Sequence, residues 1–188
     1  MKILVFTPGF PDKKLSNYPF VKQLVDEWAR QGHDCTVITT NSITKNEYFS
    51  PTKEYYKFGD AGSVSVYRSN IITCSTMKVF SNSLTSVFHK LGIQHALRNV
   101  KDGYDVVYCH FWQSGADGYL YTKNRNTPLF IASGESNIKS ILGDTDLSFI
   151  NHVQGVICVS TKNNDESISL GLTTKEMCGV FPNSINPL

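Results

Sequence analysis

The chain alternates short, continuous apolar runs with longer segments of helical period. Residues 2–7 (KILVFT) are β-branched and aromatic and stop at the breaker cluster Pro8-Gly9-Phe10-Pro11, which predicts a strand and then a turn. From about Asn17, the apolar residues Phe20, Val21, Leu24, Val25 and Trp28 recur with the 3.6-residue period of a helix. Ser16 or Asn17 is placed to cap it, Pro19 fits its first turn and Gly32 its end. Residues 34–39 (DCTVIT) read as the next strand, so this stretch predicts a βαβ unit with a right-handed crossover.

Residues 41–62 show no sustained period and read as a long loop or irregular insertion. A strand is expected near residues 63–68 and a long helix over about 79–100, weakened at Gly92. Residues 105–110 (DVVYCH) form another apolar run, and a helix follows at about 114–123. Residues 128–132 and 155–160 read as strands, with two short helices between 136 and 153. A last helix at 161–170 and a last strand at 178–181 complete the pattern. About six or seven such strands between helices predict an α/β fold. The expected architecture is a Rossmann-like, doubly wound, mostly parallel sheet with helices on both faces, in one domain over residues 1–188.

Composition narrows the class. Of 188 residues, 40% are hydrophobic and 12% aromatic, which excludes a disordered segment. The charged fraction is 18%, below the roughly 25% of ordinary soluble domains, so Asn, Ser, Thr and Gln carry much of the surface. A net charge of +2 supplies no global attraction for nucleic acid. No apolar run is long enough to span a membrane, and the N-terminus has no secretory signal pattern. The five cysteines show no CxxC and no zinc spacing. A reduced, cytoplasmic, metal-free protein is the expectation.

Open parallel sheets bind ligands outside the carboxyl ends of their strands, so residues just past each strand are the candidates. Past the first come Pro8, Gly9, Phe10, Lys13 and Lys14, leading to a helix N-terminus whose free N–H groups suit a phosphate. The bland alternative is a plain turn, since GxGxxG and the Walker pattern are absent. Past DVVYC comes His110, the best placed of the five histidines, expected to open onto a cleft as a hydrogen-bonding group. Trp112 and Gln113 follow it. Past PLFIA come Ser133, Gly134, Glu135 and Ser136, read either as polar-substrate contacts or as a capping turn with Ser136 as N-cap. Ser160 reads as a cap, and the Asp144-Thr145-Asp146 letters as a helix cap rather than a metal pair. Cys109 and His110 are strand neighbours on opposite faces and are poorly placed to pair.

The series GHDCTVIT, DVVYCH, PLFIASGES, GVICVS and VFPNSINPL resembles, in order and spacing, the N-terminal domain of family 4 glycosyltransferases. Those are retaining enzymes of the GT-B fold, with two Rossmann-like domains facing across a cleft. The resemblance implies sugar transfer, of hexosyltransferase type, from a UDP- or GDP-sugar to a glycan or lipid-linked acceptor, as in polysaccharide biosynthesis. It implies no cofactor beyond that donor. His110 matches the histidine set against the transferred sugar, residues 8–14 the diphosphate-facing loop, and residues 112, 113 and 133–136 the acceptor side. Residues 180–188 resemble the segment leading into a C-terminal nucleotide-binding domain, so residues 1–188 alone are expected to be inactive. A GT-B-shaped nucleotide-sugar epimerase half, with Glu135 as its carboxylate, and a non-catalytic flavodoxin-like binding module are the alternatives. Peripheral contact with the inner face of the cell membrane, through Lys78, Val79, Phe80, Lys90, Arg98 and Lys101, stays open beside the simpler reading of a core-facing helix.

Overall fold

The computed structural model describes residues 1–74, 78, 79, 82–101, 103–142 and 147–182. Phe80, Asp144, Thr145, Asp146 and residues 183–188 therefore lie outside the described residues, as do the side chains of Lys78 and Val79.

In chain order the elements are β1 (Lys2–Phe6), α1 (Pro19–Arg30), β2 (Asp34–Ser42), α2 (Ile43–Asn46), β3 (Lys53–Phe58) and β4 (Gly62–Ile71). The two-residue strands β5 (Lys78–Val79) and β6 (Asn82–Ser83) precede α3 (Leu84–Leu97). Then come β7 (Val106–His110), α4 (Gly115–Thr122), β8 (Leu129–Ser133), α5 (Ile138–Leu142), β9 (Val153–Cys158), α6 (Thr161–Ser169) and β10 (Cys178–Val180). Eight strands make one sheet in the order β10-β9-β8-β7-β1-β2-β4-β3. Its strand pairs are parallel in β1–β7, β7–β8, β8–β9, β9–β10 and β2–β4, and antiparallel only in β3–β4 among the pairs described. The expected mostly parallel α/β sheet is present. The chain divides into two compact units, Met1–Lys2 with Gly9–Gly103, and Ile3–Pro8 with Tyr104–Leu188.

In the first unit, α1 buries Val21 and Val25 of the expected stripe together with Ala29, while Leu24 and Trp28 are half-buried and Phe20 is exposed, and Gly32 closes its end at φ +88°. Its start differs from expectation. The N-cap is Tyr18, held left-handed at φ 56° with no side-chain cap bond, so neither Ser16 nor Asn17 caps the helix. Pro19, which lacks an N–H, opens the first turn. The stretch expected as a loop over 41–62 contains α2 and β3. Strand β3 alternates exposed Lys53, Tyr55 and Lys57 with half-buried Glu54, Tyr56 and Phe58, and it pairs along β4 as an edge. The long helix begins at Leu84 rather than 79 and ends at Leu97, capped by Ser83, whose hydroxyl accepts from Ser86 N at 3.1 Å.

In the second unit, β7, β8 and β9 are almost wholly buried and supply Val107, Cys109, Leu129, Ile131 and Val156 to the core. Helix α4 approaches β7 closely at Gly118, where a Cβ would fall 2.3 Å from Cys109 Sγ and 2.9 Å from Leu129 Cδ1. Between residues 136 and 153 stand α5 and a 3-10 turn at Ile150–His152. Ser136 does not cap α5; the Asn137 carboxamide does, accepting from Ser140 N at 3.0 Å. Ser160 caps α6 as expected, accepting from Asn163 N at 3.2 Å.

Candidate active site

The carboxyl end of β7 carries a dense polar arrangement among the described residues of the second unit. His110 is its last residue, and it is 3% exposed rather than open to solvent as expected. Its Nδ1 lies 3.1 Å from the Tyr108 hydroxyl, because residues two apart in a strand share a face. The Phe111 ring packs against it with centroids 4.3 Å apart. Removal from water disfavours the imidazolium, which pushes the His110 pKa down to about 4. At neutral pH the ring is therefore uncharged.

The chain turns sharply at Phe111, whose φ 70° and ψ 153° fall in a region that is almost exclusive to glycine and costs a few kcal/mol to occupy. Several bonds hold it there. Phe111 N donates to Ala132 O at 2.8 Å, and Trp112 N donates to Glu135 Oε1 at 2.5 Å. The Trp112 indole donates to Ser133 Oγ at 3.1 Å. Ser133 Oγ in turn donates to Glu135 Oε2 at 3.1 Å, and Gly134 N to the same oxygen at 2.9 Å. Asn163 Nδ2 reaches Glu135 O at 2.7 Å. Burial raises the Glu135 pKa, against the opposing pull of these donors.

Trp112, Ser133, Gly134 and Glu135 are thus brought together as expected, but as an internal brace. Trp112, Ser133 and Glu135 are buried, while Gln113 and Ser136 are exposed. Both Glu135 oxygens already accept hydrogen bonds. Of the predicted site residues in the second unit, Gln113 and Ser136 face solvent, and the Ser136 carbonyl accepts from Lys162 Nζ at 3.3 Å.

The turn over residues 9–14 belongs to the first unit. Gly9 is needed there for close packing, since a Cβ on it would meet the Tyr18 ring at 2.6 Å. Asp12 Oδ1 accepts from Lys14 N and Leu15 N at 2.8 and 2.9 Å, and Asp12 N donates to Leu15 O at 2.9 Å. Phe10 is buried, whereas Lys13 and Lys14 are exposed, and the Lys14 ammonium sits 4.7 Å above the Tyr48 ring. Arg68, 3% exposed on β4, fixes the turn from below. Its guanidinium donates to Phe10 O at 3.3 Å, Pro51 O at 2.7 Å and Glu54 Oε1 at 2.6 Å.

Sequence reading passed over Arg68, Tyr108 and Phe111. Tyr108 had a usable signal, its spacing of two from His110 in a strand. Arg68 and Phe111 had none, because their roles depend on partners distant in the chain. Among the described residues, no three His, Cys, Asp or Glu side chains cluster to hold a metal. Among the same residues, no helix is long and apolar enough to cross a membrane.

Comparison with known proteins bears on the fold and the family. The chain is similar to a sucrose-phosphate synthase from Thermosynechococcus elongatus, with a TM-score of 0.63 and 13% identity, over 99% of this chain and 91% of that one. It is also similar to the MurG of Acinetobacter baumannii, with a TM-score of 0.47 and 11% identity, over 98% of this chain and 46% of that one. No curated protein sequence matches it. The first likeness is one of fold, a Rossmann-like sheet corresponding to one half of a GT-B enzyme. The model of the family described as Glycosyltransferase Family 4 matches residues 20–187, and the chain belongs to that family.

Proposed function

We propose that the chain is the acceptor-side domain of a retaining glycosyltransferase, which moves a sugar from a UDP- or GDP-sugar to a glycan or lipid-linked hydroxyl. A second, C-terminal domain holds the nucleotide in this reading, and the work belongs to polysaccharide assembly on the cytoplasmic side of a membrane. Family membership over residues 20–187 is the observation that carries it.

The local chemistry suits the reaction. A departing diphosphate and an oxocarbenium-like sugar need polarity aimed at developing charge rather than a strong base. His110, uncharged and oriented by Tyr108, is a hydrogen-bonding group that positions the sugar. It is no general acid at neutral pH, because its pKa is about 4. The departing phosphate takes the acceptor proton. In the first unit, taken by itself, Gly9 faces the Tyr18 ring, so a phosphate at that turn is met chiefly by the Lys13 and Lys14 side chains. Gln113 and Ser136 meet the acceptor. Trp112, Ser133, Gly134 and Glu135 act one layer behind, by fixing the turn that follows His110.

The test uses the full-length protein, incubated with UDP- and GDP-sugars and polysaccharide or lipid-linked acceptors, with nucleoside diphosphate release as readout. Turnover is expected from the full protein, not from residues 1–188 alone. His110→Ala should lower turnover at least tenfold while the thermal transition remains cooperative. Wild-type turnover in that variant removes His110 from the mechanism, and an inverted anomeric product refutes retention.

A further inference from the structure

The second unit contains a pair of thiols that the sugar-transfer reading leaves unused. Cys158 ends β9 and Cys178 begins β10, and their Sγ atoms stand 3.2 Å apart. The register explains the meeting. Cys178 lies opposite Val156 and Cys158 opposite Val180, so the two cysteines are offset by two residues along parallel neighbours. An even offset places both side chains on one face of the sheet. Both are free thiols; Cys158 is buried and Cys178 half-buried. Cys35 and Cys109 are buried on β2 and β7, and Cys74 lies in the stretch after β4.

From this geometry we infer that Cys158 and Cys178 form a redox-responsive dithiol, a site of covalent modification that closes to a disulfide with a low-molecular-weight disulfide as oxidant. The sulfur atoms stand ~1.1 Å beyond the bonded separation of ~2.05 Å, and the two-residue offset sets the Cα atoms about 8 Å apart, so closure also takes a backbone movement. Strand β10 can supply that shift. It has three residues and lies at the end of the strand order, tied to β9 by backbone bonds such as Phe181 N to Cys158 O at 2.8 Å.

The chemistry balances with oxidised glutathione. The partly exposed Cys178, as thiolate, attacks one glutathione sulfur and expels the first glutathione thiolate. Cys158 then loses its proton to solvent, attacks Cys178 Sγ in the mixed disulfide and expels the second. One dithiol and one glutathione disulfide thus become one protein disulfide and two glutathione thiols. Burial and the neighbouring Cys178 thiol push the Cys158 pKa up to about 12, so the second step is the slow one and a glutathione adduct at Cys178 appears first. The product ties β10 to β9 across the 20 residues that separate the two cysteines, which restricts the unfolded chain.

The experiment incubates the full chain with oxidised glutathione, quenches by alkylation and maps peptides by mass spectrometry, with thermal melts taken in parallel. A peptide pair linking Cys158 and Cys178, lighter by two hydrogens, is expected. A rise in Tm of roughly 5 °C should accompany it and reverse on reduction. Cys178→Ser should show neither change, and Cys74→Ser should leave both intact. The decisive readout is on the wild-type chain, so it does not depend on the folding of a variant. Stable glutathione adducts without the cross-link, a cross-link through Cys74, or a link that leaves Tm unchanged would overturn the inference. Sugar transfer is not measured, so failure here leaves the glycosyltransferase reading untouched.

Discussion

Glu135 separates an internal brace from a substrate-binding carboxylate, and two substitutions tell them apart. Glu135→Ala removes the acceptor for three donors, Trp112 N, Ser133 Oγ and Gly134 N. A buried donor left without a partner costs about 1–3 kcal/mol, and Ser133 can turn to find another, so the loss should be about 3–5 kcal/mol. Glu135→Gln keeps one oxygen for Trp112 N and turns an amide nitrogen toward Gly134 N, leaving one donor unpaired. That cost is partly offset, because burial already works against the charge of this carboxylate, as its raised pKa records. About 1–2 kcal/mol remains. For a chain of this length, 1 kcal/mol moves Tm by about 2–4 °C. The expected fall is then about 10 °C or more for Ala and about 4 °C for Gln.

The assay is thermal denaturation at pH 7, with tryptophan emission recorded before the transition. Trp112 is wholly buried and its indole is bonded to Ser133, so Glu135→Ala should also shift emission to the red. Equal melting temperatures for Ala, Gln and wild type would refute the brace. They would return Glu135 to the pool of groups open to substrate.

Two further outcomes follow from the same unit. The His110 pKa falls from 6.5 to about 4 on folding, so its contribution to stability is complete above the unfolded value and is lost as pH drops from about 6.5 through about 4; the total is ~3 kcal/mol. Urea midpoints measured over that window should decline in wild type and flatten in His110→Phe, and an unchanged slope in the variant would contradict the assignment. Gly118→Ala should cost about 1–3 kcal/mol or more, because the new Cβ meets Cys109 Sγ at 2.3 Å. The double variant with Cys109→Ala should recover part of the loss, and simple additivity of the two effects would argue against the contact.

How far these features were legible in the sequence depended on whether their cause was local. Strands β1, β7, β8 and β9 are apolar runs buried on both faces, and pattern alone located each to within two or three residues. Strand β3 escaped because its sequence KEYYKF carries lysines and a glutamate on a half-covered edge. Its long side chains lay apolar stems against neighbours while their charges reach water. Even its inward row includes Glu54, satisfied by Arg68, which lies fourteen residues away. The start of α1 escaped for a related reason. Asn17 is a good cap by type, but the Tyr18 ring packs on Gly9 and carries the turn one residue further. At the site, the position of His110 at a strand end was readable, whereas its burial was not. Burial follows from the turn at Phe111, which Glu135 stabilises from 23 residues beyond Trp112.

One device recurs in both units, each taken by itself. In the second, a buried carboxylate accepts N–H groups and fixes the turn after β7; in the first, a buried guanidinium donates to carbonyls and fixes the turn over residues 9–14. The signs differ because the backbone groups to be satisfied differ, N–H at Trp112 and Gly134 and C=O at Phe10 and Pro11. Each charge is held by several partners at once, the condition under which a buried ion does not destabilise its surroundings. Such a group contributes position rather than reactivity. Removing either should therefore disturb the strand-end turn it holds, Phe111 in one case and Phe10 in the other.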